Sequence, residues 1–119
     1  MKTNDLDGDA LDWAVAKCMG HADETIFRRL KPDEEGWYDM VDVCIAYSTD
    51  WAQGGPIIER EKIGLRCGDN TWGVDEGIWE ANHPKCLYVK HGATPLIAAM
   101  RCYVASKLGN EITIPEELK

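Results

Sequence analysis

Apolar positions recur at three- and four-residue intervals in two parts of the chain, and both predict helices. Over residues 3–19, Leu6, Ala10 and Ala14 form one row, Leu11, Val15 and Cys18 the next, and Trp13 widens the arc. Thr3 or Asp5 is able to cap this helix, and Gly20 stops it. An arc this wide predicts that the helix lies across a sheet. Over residues 94–109, Leu96, Ile97, Met100, Val104 and Leu108 supply a second stripe. Thr94 is its expected cap, Pro95 its first residue, where the missing N–H is harmless, and Gly109 its stop.

Shorter apolar runs predict strands at residues 24–30, 37–47, 63–67, 78–81 and 86–90, separated by turn-forming residues at 31–36, 68–70 and 82–84. Positions 43–47 are too continuously apolar for a solvent-facing edge, which places the second run centrally. Residues 48–50 (Ser-Thr-Asp) are able to cap a helix, and Trp51, Ile57 and Ile58 precede an outward run, Glu59 to Lys62. Gly54-Gly55-Pro56 interrupts this pattern, and an interior proline costs about 3 kcal/mol. Either a loop occupies 50–55 and Pro56 begins the helix, or the helix starts at Asp50; a distorted or two-part helix is favoured. Ile112, Ile114 and Leu118 predict a tail that folds back. The whole is an α+β, two-layer α/β sandwich: about three helices on a roughly four-stranded antiparallel or mixed sheet.

A chain of 119 residues fits one domain, 1–119, and buries about two-thirds of its unfolded surface without help from metal or disulfides. The net charge of −8 argues against direct nucleic-acid or anionic-membrane binding, which relies on Lys and Arg. Residues 1–50 hold 12 acidic and 5 basic residues, so most of that charge lies in one half. Asp33, Glu34, Glu35, Asp39 and Asp42 could therefore meet a basic partner, or mimic DNA in a host protein's groove. The five cysteines are odd in number, irregularly spaced and lack CxxC; with a polar start and no apolar run of about 18–20 residues, they fit reduced thiols in a cytoplasm.

The densest candidate for chemistry is residues 47–56. Hydroxyls, a carboxylate, an indole and two glycines stand where a strand hands over to a helix, a junction that exposes N–H groups to a polar or anionic ligand. Trp51 is read either as a stacking face or as a core residue, and Ser48 and Thr49 either as donors or as caps. There is no GK[ST], so nucleotide hydrolysis has no support. Arg60 could reach an anion, or pair along its helix. Of His83, Cys86 and Cys67, only His83 and Cys86 have metal-ligand spacing, and zinc needs four ligands, so no metal is expected. His21 and His91 read as exposed. No nucleophile elbow, HExxH or protease signature is present, so no catalytic residue is assigned. Trp37, Trp72 and Trp79 lie in less regular stretches and are candidates for either a binding surface or the core.

Three stretches in order carry a resemblance: Ala-Leu-Asp-Trp-Ala-Val-Ala at 10–16, Ser-Thr-Asp-Trp-Ala-Gln-Gly-Gly-Pro-Ile-Ile-Glu-Arg-Glu at 48–61, and the run from Gly92 to Gly109. They resemble the NinX family of small tailed-phage proteins, encoded in the early accessory region of lambda-like genomes. The resemblance implies a phage accessory protein and a small α/β sandwich fold. Its motif falls on Ser48, Thr49, Asp50, Trp51, Gly54, Gly55, Pro56 and Arg60.

The expectation is a non-enzymatic protein that acts by binding in the infected host cytoplasm and needs no cofactor. Capture of a small polar or nucleotide-like ligand would use N–H and hydroxyl donors from 48–55, the Trp51 face and an Arg60 counter-charge. Sequestration of a host defence signal would follow, and a homodimer would deepen the pocket. The alternatives are an acidic inhibitor of a host protein and an uncharacterised enzyme.

Overall fold

The computed structural model describes residues 2–21, 45–68, 78–85, 89–115 and 118. The expected strand at 24–30, residues 37–44 of the one expected at 37–47, the indoles of Trp37 and Trp72, and Cys44 and Cys86 lie outside these residues, as do Asp33, Glu34, Glu35, Asp39 and Asp42.

Three α-helices and three strands make up the described architecture: α1 (Gly8–Cys18), α2 (Trp51–Glu61), β1 (Gly64–Cys67), β2 (Trp79–Asn82), β3 (Lys90–Gly92) and α3 (Pro95–Leu108). The sheet is antiparallel throughout in the order β1-β2-β3, with Leu65 opposite Ala81 and Glu80 opposite His91. This is the expected α+β class, with three strands described where about four were expected.

Helix α3 is the hub. It packs against all three strands and against α1 and α2. Its Leu96, Ala98, Ala99, Met100, Cys102, Tyr103, Val104 and Ala105 are buried, so it is enclosed on nearly every side, as an all-round apolar helix must be. Alanines at 98, 99 and 105 let its neighbours approach closely. Thr94 caps it as expected: Oγ1 accepts the Ile97 N–H at 3.1 Å, and Gly109 ends it.

Helix α1 departs from expectation in two ways. Residues Thr3–Asp5 form a separate 3-10 turn, and the α-helix begins at Gly8, whose φ of +52° lies in the left-handed region that glycine enters at least cost. Among the described elements, the helix packs against α3 rather than across the three strands. Leu11, Ala14 and Val15 are fully buried, and Trp13 is buried under Lys17. The predicted central strand does not continue through Tyr47, because residues 47–49 are a turn. Of the strand expected at 86–90 only Val89 and Lys90 are described, and β3 begins at Lys90 and runs on to Gly92.

The tail folds back as predicted. Ile114 is buried, Ile112 and Leu118 pack on the core, and Asn110 accepts the Thr3 N–H at 2.7 Å. Arg101 fastens the same end, donating from Nε to the Leu6 carbonyl at 2.6 Å and from Nη1 to the His91 carbonyl at 2.7 Å. Among the described residues, no helix is long and apolar enough to cross a membrane.

Candidate functional site

Helix α2 begins where the Tyr47–Thr49 turn ends, and the sequence there explains why. Asp50 takes an extended conformation and its Oδ1 accepts the Ala52 N–H at 2.9 Å, a side-chain N-cap. The helix then runs unbroken to Glu61 with Pro56 inside it, one continuous span instead of a loop or two pieces. Proline removes only the bond to the Ala52 carbonyl, and Ala52 is exposed, so water can serve that oxygen.

The turn is held from below by an acid. Asp12 of α1 is buried, and its Oδ1 accepts the Ser48 backbone N–H at 2.8 Å. Burial pushes the Asp12 carboxyl above its ordinary value, while hydrogen bonds from the Ser48 N–H and hydroxyl hold it down. This acid sits within the otherwise apolar Ala10 to Ala16 run, and that interruption was the available sequence signal for it. Gly54 seats the helix on the same turn: a Cβ there would stand 2.6 Å from the Tyr47 carbonyl oxygen and 2.5 Å from Leu96 Cδ1.

These contacts create a pocket of about 190 Å³ between the beginnings of α2 and α3. Ser48, Thr49 and Trp51 form one wall, and Thr94, Leu96 and Ile97 the other. Trp51 is 53% exposed, so its indole belongs to the surface of this pocket and is not a core residue. The volume falls below the roughly 300–1,000 Å³ of drug-sized sites, which suits a single flat group rather than an extended molecule.

Most of the N–H groups of this junction are bonded within the fold; the described hydrogen bonds do not engage that of Trp51. Those of Thr49 and Asp50 reach the Ala46 carbonyl, and those of Gln53 and Gly54 reach the Asp50 carbonyl. Ser48 and Ala52 donate to Asp12 and Asp50, Ile97 and Ala98 donate to Thr94, and Pro95 has no N–H. Two helix N-termini thus meet at the pocket with most of their donors engaged. The carboxylate of Asp50 further opposes an anion there.

Of the predicted residues, Ser48, Thr49 and Trp51 line the pocket, Asp50 caps its helix, and Gly54 fits the helix to the turn. Gly55 lies beside the indole, its nearest neighbour being Trp51 Cε3 at 3.9 Å from a Cβ built there. Arg60 does not join them. Nine residues beyond Trp51, it stands two and a half turns and about 13 Å along the axis, on the opposite face. There it donates to Tyr103 Oη at 3.2 Å and pairs with Glu61 at 3.2 Å. Sequence reasoning missed the second wall, Thr94, Leu96 and Ile97, because those residues already accounted for a helix start.

The far end of α2 carries a separate polar cluster. His83 is buried; its Nδ1 accepts the Lys85 N–H at 2.9 Å, which leaves the ring proton on Nε2, 3.1 Å from Glu61 Oε1. That bond first, and Arg60 and Lys107 after it, hold the Glu61 carboxyl below its ordinary value. With both ring nitrogens engaged, His83 ties α2 to the turn after β2. Among the described residues, no group of three or more His, Cys, Asp or Glu has the geometry to hold a metal ion.

No curated protein matches the sequence. A family model described as Bacteriophage P22, NinX matches residues 2–107, spanning α1, the Ser48–Trp51 wall, the sheet and nearly all of α3. The chain belongs to this NinX family of phage proteins.

Proposed function

We propose that this phage protein acts by binding, capturing one small, flat, polar ligand of nucleotide-like size of ring against Trp51 in the host cytoplasm. One observation carries the reading: a large indole stands 53% exposed on the wall of a concave, mostly apolar pocket. Tryptophan is enriched at binding hot spots, and indole faces stack well on rings. The hydroxyl-bearing residues Thr49 and Thr94 add polar edges that orient such a ring, while the Ser48 side chain is buried behind them. Sequestering a host signalling molecule is the accessory role that this chemistry suits, and a second copy of the chain would deepen a pocket this small.

Native mass spectrometry of the gently purified protein, before and after denaturation, tests the reading. The expected result is a small mass excess that is lost on denaturing and absent from Trp51→Ala. Because Trp51 is exposed, that variant should lose under about 0.5 kcal/mol of stability. A bare mass, together with identical behaviour of Trp51→Ala toward every added nucleoside, would overturn it.

A further inference from the structure

At the end of α2 away from the pocket, the three helices meet around a thioether. Met19 is the C-cap of α1, just before the chain turns at Gly20 (φ +93°), and it is 37% exposed. Its Sδ accepts from Arg60 Nη2 of α2 at 3.4 Å and from Tyr103 Oη of α3 at 3.6 Å. Arg60 Nη2 also donates to Tyr103 Oη at 3.2 Å, which closes a triangle joining all three helices. Tyr103 is buried, so its hydroxyl proton needs an acceptor, and among the described residues that acceptor is the Met19 sulfur. A thioether is a weak acceptor. Two strong donors, one of them a cation, therefore converge on an atom that makes poor use of them.

We infer that Met19 is a modification site: a peroxide converts it to the sulfoxide, whose oxygen takes the Arg60 and Tyr103 donors and fastens α1 to α2 and α3. In that step a sulfur lone pair attacks one peroxide oxygen, and the S–O bond forms as the O–O bond breaks. With hydrogen peroxide, the proton of the attacked oxygen leaves with the other oxygen as water. Sulfur loses two electrons and the peroxide gains them. Sulfoxidation disrupts a packed core because it places a polar oxygen among apolar groups. Met19 instead stands at the surface beside two donors, and a bond from a cation to a strong acceptor is worth more than one to sulfur. Met100 of α3 is fully buried and is shielded from peroxide. Burial pushes the adjacent Cys18 thiol up to about 11, so it stays protonated and is a poorer competitor for the oxidant.

Treatment of the full chain with hydrogen peroxide at about pH 5, where thiolates are scarce, tests this by peptide mass spectrometry and thermal melts. Met19 should gain one oxygen at least about tenfold faster than Met100, and the oxidised chain should melt on the order of 3 °C above the untreated one. The two epimer-specific methionine sulfoxide reductases together should reverse both changes. Met19→Leu keeps an apolar side chain without sulfur, so the rise in Tm should be absent from it; this separates Met19 from oxidation elsewhere in the chain. Arg60→Leu combined with Tyr103→Phe removes both donors, and Met19 should still oxidise there without the rise. Oxidation of Met19 no faster than of Met100, a Tm that falls or stays unchanged, or an equal rise in Met19→Leu overturns the inference.

Discussion

Replacing Gly54 with alanine sets helix propensity against packing. In a helix interior alanine is favoured over glycine by about 1 kcal/mol. At position 54, however, the new methyl would stand 2.5 Å from Leu96 Cδ1 and 2.6 Å from the Tyr47 carbonyl oxygen. The leucine end can rotate, but the carbonyl belongs to a turn whose next residue is tied to buried Asp12. Relief therefore requires α2 to back away from the turn, loosening its contact with α3. Overpacking of this kind costs about 1–3 kcal/mol, and a backbone obstacle places it at the upper end. The net expectation is a loss of about 2 kcal/mol, or about 8 °C in Tm for a chain of this size. Gly55 is the control one residue along. A Cβ there meets nothing closer than Trp51 Cε3 at 3.9 Å, so Gly55→Ala should keep the propensity gain and be stabilised by up to about 1 kcal/mol. Thermal and urea melts of both variants, followed by far-UV circular dichroism, decide the matter. Gly54→Ala as stable as Gly55→Ala would refute the close approach of α2 to the turn.

Three further outcomes are expected. Lys62 ends α2 in the left-handed region at φ +58°, so Lys62→Gly should raise the urea midpoint, for a net stabilisation of about 0.5 kcal/mol, relief of strain outweighing the looser unfolded chain. Thr94→Ala removes the α3 cap and should cost about 1 kcal/mol in the same assay, whereas Thr94→Ser should restore most of it. Burial raises the folded-state carboxyl of Asp12 above 3.8, so the folded form binds its proton more tightly than the unfolded form. The stabilisation from that proton is complete below pH 3.8 and lost as pH rises through the folded value. Stability of the parent relative to Asp12→Asn should accordingly rise as pH falls from 7 toward 4; a flat difference would show that Asp12 is not perturbed.

What the sequence alone determined is local. The start and stop of α3 follow from Thr94, Pro95 and Gly109, because a cap, a fixed φ and a helix breaker act within one turn of chain. The β1 and β2 runs, the fold class and the Asp50 start of α2 were legible for the same reason. Even the separation of Arg60 from Trp51 was implicit in helical geometry, since nine residues place two side chains on opposite faces. The tertiary structure decided what lies across space. Helix α1 packs on α3 because α3 is apolar all round, a property its stripe understated. Trp51 became a surface residue because Leu96 and Ile97, more than forty positions away, form a wall beside it instead of a lid. The fate of most junction N–H groups was decided there too: those of Ser48, Thr49, Asp50, Ala52, Gln53 and Gly54 bond internally, to Asp12, Ala46 and Asp50. Helix periodicity shows which side chains share a face, but the partner that satisfies a given N–H depends on long-range packing, and that packing fixes what the pocket can still bind.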